Sequence, residues 1–441
     1  MSIVSKELNY SSKNVERGTY NISRVSQQTG LSTVTLDASG GNSSVFEIPA
    51  KVINLSKSYL SFTLTVPALA TKFTKAWVLG TPMIRSLQLQ TREGLFLCDI
   101  SDCHKYMASI VPYFPESDVL AEDTPGNGAF STSGFSPNDG TAGSRITPPS
   151  AYDGNDRNAS SDAYSQLTHI VNGAAANTAV AVKWKIPLSV FKNTILSMDL
   201  DQYFGGNSVF LNVIWNSRAF CGFTGDAAAT IAAPVALVAD CTITNLNFNM
   251  AIETNPVAQA VSKAPKSYNI DYVFTNSLAL ATAGLQSIQV RYTRAQGSKL
   301  KKVIYAPYIT ADTTIHAFNH NNAAGDAVTS FHSQINNSRI QQFNPVCASL
   351  EDYDMQAHLI KGTAKQRSNA FYRHFSIIDD FTAGTIPHED SYISDGFDLS
   401  QEDAIYNMNP VMTGNTSYKH YMFAVTERLL TLGADGMVTL S

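Results

Sequence analysis

Alternation with a period of two is the clearest pattern in the chain. Over residues 418–441, Tyr421, Phe423 and Val425 alternate with Met422, Ala424 and Thr426, which predicts a β-strand with two distinct faces. Ala434-Asp435-Gly436 then predicts a turn, because Gly takes positive φ and Asp bonds its own backbone. A short final strand is expected over 437–440. The same period recurs upstream. Leu60, Phe62, Leu64 and Val66 alternate with Ser61, Thr63 and Thr65, and Leu87 and Leu89 with Ser86, Gln88 and Gln90. Val180, Val182, Trp184 and Ile186 oppose Lys183 and Lys185, while Val209, Leu211, Val213 and Trp215 oppose Asn212 and Asn216. Such alternation marks antiparallel sheets buried on one side, not the continuous apolar strands of parallel α/β proteins. Between Cys241 and Met250 the phase slips by one. Cys241 and Ile243 share one face, Leu246, Phe248 and Met250 the other. A β-bulge at Thr244–Asn245 would turn all five inward.

Helical spacing is rare. Ser101 can cap a helix with Cys103, Tyr106, Met107 and Ile110 on one face, and Ser189 another with Val190, Phe191, Ile195 and Met198 inward. Leu350, Tyr353, Ala357 and Ile360 fit a third, and Phe371, Phe375 and Ile378 the end of a fourth. Residues 114–165 are rich in Gly, Ser, Pro, Asp and Asn and read as a long surface loop. Two prolines, Pro256 and Pro265, bound the best domain boundary. The expected division is an N-terminal arm (1–33), a first β-sandwich (34–254, carrying the 114–165 loop), a linker (255–266) and a second β-sandwich (267–441).

Composition narrows the function. Charged residues make up 15% of 441, against about 25% in ordinary soluble domains, so much of the surface is expected to meet copies of itself. A net charge of −5 argues against a basic nucleic-acid face. Lys299 to Lys302 (KLKK) reads as a solvated strand end. The first 30 residues carry Lys6, Lys13, Arg17 and Arg24 against Glu7 and Glu16, which suits either an anionic surface or packing on a neighbour. Five scattered cysteines, Cys98, Cys103, Cys221, Cys241 and Cys347, read as reduced buried thiols rather than a disulfide framework. Neither a signal peptide nor a membrane span is expected.

Catalytic patterns are lacking. P-loop, GxGxxG, HExxH and GxSxG motifs are absent. Cys98, Asp99, Asp102, Cys103 and His104 cluster in sequence, but their spacing fits no common metal site. Asp379-Asp380 and His388-Glu389-Asp390 supply only the carboxylate pair that any glycosidase needs. Glu351, Asp352, Asp354 and His358 read as the polar side of a helix. The 22 Phe, 19 Tyr and 3 Trp sit at alternating strand positions and read as core, not as a nucleic-acid stacking platform. No catalytic, cofactor-binding or metal residue is assigned, and no cofactor is expected.

Several segments, in order, carry a family resemblance: SVFEIPA at 44–50 and YLSFTLTV at 59–66, the strand pair of 83–99 with a helix after it, VKWKIPL at 182–188, DCTI at 240–243, DGFDLS at 395–400, and the C-terminal strand with Thr426-Glu427-Arg428. The chain resembles the double jelly-roll major capsid proteins of icosahedral, mostly membrane-containing viruses, the tectivirus and adenovirus lineage. The resemblance implies an all-β fold of two consecutive antiparallel jelly-roll β-sandwiches with a few short helices and long loops. It implies homotrimeric pseudo-hexagonal capsomers that tile a shell over an internal membrane, with the N-terminal arm directed inward. The implied partners are other copies of the chain, penton and minor capsid or membrane proteins, and lipid, without sequence-specific nucleic-acid binding. The implied location is the virion, assembled in the host cell interior. The competing readings are a viral spike or carbohydrate- or receptor-binding β-sandwich using the 114–165 loop, and a hydrolase using Asp379, Asp380, Glu389 or Asp390.

Overall fold

Each clean alternation becomes a strand, and its apolar side chains are buried wherever they are described. Leu60, Phe62, Leu64 and Val66 are buried while Ser61, Thr63 and Thr65 are partly exposed; Val209, Leu211, Val213 and Trp215 behave alike. The computed structural model describes residues 20–28, 30–68, 73–77, 83–110, 170–172, 179–205, 208–225, 235–280, 283–309, 328–341, 343–346, 376–382, 395–412, 418–433 and 437–441. The expected 114–165 loop, the 350–360 helix, Phe371, Phe375, the 434–436 turn and Cys347 lie outside them.

The first half contains β1 (Tyr20–Ser26), β2 (Thr33–Leu36), β3 (Ser43–Ile48), β4 (Ile53–Val66), β5 (Phe73–Trp77), β6 (Ile84–Thr91), β7 (Phe96–Ile100), β8 (Ile170–Asn172), β9 (Val180–Pro187), β10 (Asp201–Gln202), β11 (Val209–Trp215), β12 (Gly222–Gly225), β13 (Val235–Ala236) and β14 (Cys241–Glu253). Helix α1 (Cys103–Ile110) follows β7, and α2 (Pro256–Lys263) joins the halves. The second half contains β15 (Lys266–Leu280), β16 (Gly284–Leu285), β17 (Ile288–Tyr292), β18 (Lys299–Ile309), β19 (Val328–Ile335), β20 (Ser338–Arg339), β21 (Ile377–Asp380), β22 (Phe397–Asp398), β23 (Ala404–Met412), β24 (Tyr418–Leu432) and β25 (Val438–Leu440).

Both halves have one topology. Sheet A runs β1/β2–β14–β4–β9/β10 and sheet B runs β3–β11–β6–β7; sheet C runs β15–β24–β18–β21/β22 and sheet D runs β16/β17–β23–β19–β20. Counted in chain order as eight positions per half, A and C are both 1-8-3-6, and B and D both 2-7-4-5. This is the jelly roll, written twice. All pairings are antiparallel, so the connections 3→4, 5→6 and 7→8 lie at one end. In the first roll these carry β5, β8 and β12–β13, which braid into a crown sheet, β13–β12–β5–β8. The start of β1, the end of β14 and α2 lie at the opposite end.

Four expectations change. The chain from Tyr20 already belongs to the first roll, because β1 pairs with β14 from Tyr20↔Glu253 to Ser26↔Asn247; the arm expected over 1–33 therefore ends earlier. The linker expected over 255–266 holds helix α2, started by Asn255, whose side chain accepts from the amides of Val257 and Ala258, with Pro256 opening the first turn. The helix expected after Ser189 is two 3₁₀ turns, Leu188–Val190 and Ile195–Ser197, because Asn193 between them takes positive φ (58°). Ile378 lies in β21, not in a helix; Ile377 and Ile378 are both buried, so the strand has no polar alternation to show. The phase slip in β14 is resolved as anticipated. Asn245 sits at φ 54°, the register against β4 shifts between Thr244 and Asn247, and all five apolar residues are buried.

The rolls share one continuous core. The inner face of sheet C covers the second roll's interior, and its outer face covers the first roll. Tyr106 of α1 packs edge-on against Phe423 of β24 at 5.3 Å. The Tyr308 hydroxyl donates to the Lys105 carbonyl (3.1 Å), Ser376 Oγ to the Ser109 carbonyl (2.5 Å) and Thr275 Oγ1 to the Ser101 carbonyl (3.1 Å). Lys105 Nζ lies 4.0 Å above the Tyr308 ring. Truncation of Phe423 to Ala should therefore cost about 3–5 kcal/mol, measured by urea unfolding. Loss of the two rolls' coincidence in unfolding would accompany it, read from probes in each half.

Candidate assembly surfaces

The acidic and cysteine clusters of the sequence do not converge. Cys98 is buried on β7 and Cys103 in α1, whereas Asp99 accepts from Gln88 Nε2 (3.1 Å) on the outer face of sheet B. Asp102 precedes α1 and receives the Lys105 and Tyr106 amides on its carbonyl. His104 packs edge-on against Phe220 at 4.9 Å. Among the described residues no group of three or more His, Cys, Asp or Glu side chains could hold a metal.

Asp379 and Asp380 point to opposite faces of β21. Asp379 is buried inside the second roll, accepting from Gln341 Nε2 (2.8 Å) and the Tyr406 hydroxyl (2.5 Å); burial outweighs these donors and pushes its pKa up. Asp380 pairs with Lys302 at 2.9 Å. They form no facing carboxylate pair. His388, Glu389, Asp390, Glu351, Asp352, Asp354 and His358 lie outside the described residues. The KLKK stretch is less solvated than expected. Lys299 pairs with Asp395 (2.9 Å), Lys301 with Asp271 (2.7 Å) and Glu427 (3.0 Å), and Leu300 is buried.

The outer face of sheet A has no cover within the described chain. Its pairings place Thr35, Thr242, Thr65 and Ala181 in one row, Thr33, Thr244, Thr63 and Lys183 in the next, and Ser26, Asn247, Ser61 and Lys185 in a third. Asn249 Nδ2 donates to Ser61 Oγ at 2.8 Å, and Lys185 Nζ lies over the Tyr59 ring at 4.7 Å. Hydroxyls and amides fill these rows, and the charges in and beside them (Arg24, Lys183, Lys185) are cationic, while toward α2 the same face carries Asp201. Its counterpart, the outer face of sheet C, carries Tyr421, Phe423, Val425 and Tyr308 and is buried against the first roll. After β20, the strand equivalent to β7, Phe343 and Val346 are exposed.

At the opposite end from the crown, α2 turns its apolar side outward. Val257 and Val261 are 64% and 69% exposed, while Ser262 is buried and Gln259 donates to the Glu253 carbonyl. A cleft beside it is lined by Tyr20, Asn54, Lys57, Asp199, Asp201 and Val261. There Tyr20 donates to Asp201 (2.7 Å) and Lys57 to Asp199 (2.7 Å). The Asn-Pro pair at 255–256 was the signal for this helix. No period in the sequence marks the sheet A face as an interface, because solvated and lightly covered faces share one polar alternation. Among the described residues no helix is long and apolar enough to cross a membrane.

Two eight-position jelly rolls in one chain define a double jelly-roll protein. The solved structures it is similar to have the same fold over nearly their whole length. The PBCV-1 virus capsid gives a TM-score of 0.52 at 12% identity, covering 97% of each chain. The mavirus major capsid protein gives 0.52 at 10%, covering 98% of this chain and 93% of that one. The Sputnik virophage gives 0.54 at 9%, covering 97% and 89%. No family model and no curated protein matches the chain.

One buried group links pH to stability. His420 of β24 lies inside the second roll, with Nδ1 2.8 Å from the Tyr305 hydroxyl and Nε2 without a hydrogen-bond partner. Burial lowers its pKa to about 4. The unfolded imidazole binds its proton near pH 6.5, the folded one only near 4. Stability is therefore whole above about pH 6.5 and falls as pH drops toward 4. His420→Gln should flatten this limb, shrinking the pH 7-to-4 loss by about 2–3 kcal/mol, read from urea midpoints at each pH.

Proposed function

We propose that this chain is the major capsid protein of an icosahedral virus and acts as a structural element, not an enzyme. Three copies form a pseudo-hexagonal capsomer, and capsomers tile the shell of the virion after assembly inside the host cell. Penton and minor capsid or membrane proteins, and an internal lipid layer, are the further partners of such a shell.

The observation that carries this reading is the repeat of one topology in which, among the described residues, only one of the two equivalent faces is covered. Sheet C uses its outer face to join the first roll. Sheet A has the same strand order and an outer face that no described residue covers. A ring of six rolls from three chains covers it, setting sheet A of one copy against the stretch after β20, with Phe343 and Val346, of the next. Such a heterologous contact closes into a ring when its rotation allows. Interfaces of obligate oligomers bury roughly 2,000–5,000 Å², which suits a chain with only 15% charged residues.

Light scattering after size exclusion should give about 143 kDa, three copies of 47.8 kDa. The double variant Thr63→Arg, Thr244→Arg crowds two guanidinium groups onto one row of sheet A. It should give a monomer with unchanged circular dichroism. A wild-type chain that stays monomeric in every buffer counts against the capsomer, and a trimeric double variant against this face.

A further inference from the structure

Two thiols at the crown end of the first roll lie against each other. Cys221 ends the 3₁₀ turn Arg218–Phe220, and Cys241 opens β14; both are buried and unbridged. Their side chains lie close enough to interact directly. An independent clasp holds the same two segments together. Arg218 Nη1 pairs with Asp240 at 2.6 Å, and Arg218 Nε donates to the Leu237 carbonyl at 3.0 Å. The backbone between the cysteines carries β12 and β13, two of the four crown strands, and β12 pairs with β5.

From this geometry we infer that Cys221 and Cys241 form a disulfide that staples the crown when the protein meets an oxidising medium. The oxidant is a small-molecule disulfide such as oxidised glutathione. One cysteine thiolate attacks it, forming a mixed disulfide and releasing one glutathione thiolate, which takes up the proton the cysteine lost. The second cysteine, as thiolate, then attacks the protein sulfur of the mixed disulfide. The second glutathione leaves and takes that proton. Two protein thiols are oxidised by two electrons, and one glutathione disulfide is reduced to two thiols. Burial holds the Cys221 thiol far above its ordinary pKa, so exchange waits on local opening of the crown. Inside a cell the pair stays reduced. The timing, after release from the host, rests on the capsid reading; the chemistry does not.

The test uses the full chain in solution. Wild-type protein is incubated with oxidised glutathione at a temperature below unfolding, blocked with an alkylating reagent, and mapped by mass spectrometry without reduction. The expected result is one linked peptide pair joining Cys221 to Cys241, with labelled thiols falling from five to three. Cys221→Ala and Cys241→Ala should each abolish the link, while Cys98→Ala leaves it. The oxidised wild type should resist protease cleavage between 222 and 240 longer than the reduced form, a readout that needs no variant to fold. Folded protein that keeps five free thiols, or that links other cysteines, overturns the staple. Neither result bears on trimer mass, so the capsomer reading is judged separately.

Discussion

Between His420 and Thr426 strand β24 has no solvent face. Tyr421, Phe423 and Val425 press outward onto α1 and the first roll, while Met422, Ala424 and Thr426 line the second roll's interior. The strand pairs along its whole length with β15, from Lys266↔Leu432 to Leu280↔Tyr418, and with β18 on its other side. A central strand fixed by ladders on both edges and by side chains on both faces leaves its register no freedom. The position of one roll on the other follows from it. The Tyr106–Phe423 contact sets where α1 lies, and the Tyr308, Ser376 and Thr275 donors then meet the carbonyls of α1 and of Ser101 just before it. The buried Tyr308 and Ser376 hydroxyls would each cost stability if left unpaired, so the seam accepts one geometry.

How far this could be read in advance depended on where each strand's second face went. Strands with one wet face, such as β4 and β11, announced themselves by strict alternation. Even the bulge at Asn245 was visible, because five apolar residues demanded one side of the sheet. Strand β21 was unreadable for the opposite reason. Both of its faces are covered, so Ile377-Ile378 carries no period. The helix after Ser189 failed on a single residue: Asn193 takes a left-handed conformation and donates from its side chain to the Tyr106 hydroxyl. Apolar spacing cannot register that hydrogen bond. The candidate surfaces were least legible, since a Thr and Ser row looks the same in sequence whether water or protein covers it.

The molecule is polar along its strands. The crown gathers connections at one end; the chain start, α2 and the start of β15 gather at the other. Helix α2 is inverted relative to an ordinary surface helix, with Val257 and Val261 outward and Ser262 buried. Its polar side is used by the fold, through Asn255 and Gln259, and its apolar side is left over. Nearby, Lys266 Nζ donates to the Asp201 carbonyl, tying the first residue of the second roll to β10 of the first. The joint between rolls is thus held at two places, by α1 and by this lysine at the base.

The two equivalent outer faces differ in chemistry, and the capsomer reading explains the difference. Sheet C meets its partner within one chain, so its aromatic face is covered as soon as the chain folds and never has to be soluble alone. Sheet A would meet its partner only after three chains find one another. Until then no described residue covers its face, and an aromatic face of that size would invite the wrong neighbours. Rows of Thr, Ser and Asn with a lysine edge avoid that outcome. They hydrogen-bond to water in the free chain and, like the Asn249–Ser61 pair, to each other or a partner when covered. Hydroxyl rows give up little on either side of that exchange, because net hydrogen-bond energies are only about 0.5–1.5 kcal/mol. On that reading affinity would come from the apolar residues set among them, such as Tyr59 and Ile22, and from Phe343 and Val346 opposite. On the capsomer reading one topology is used twice, with the seam inside the chain written in aromatics and the seam between chains in hydroxyls.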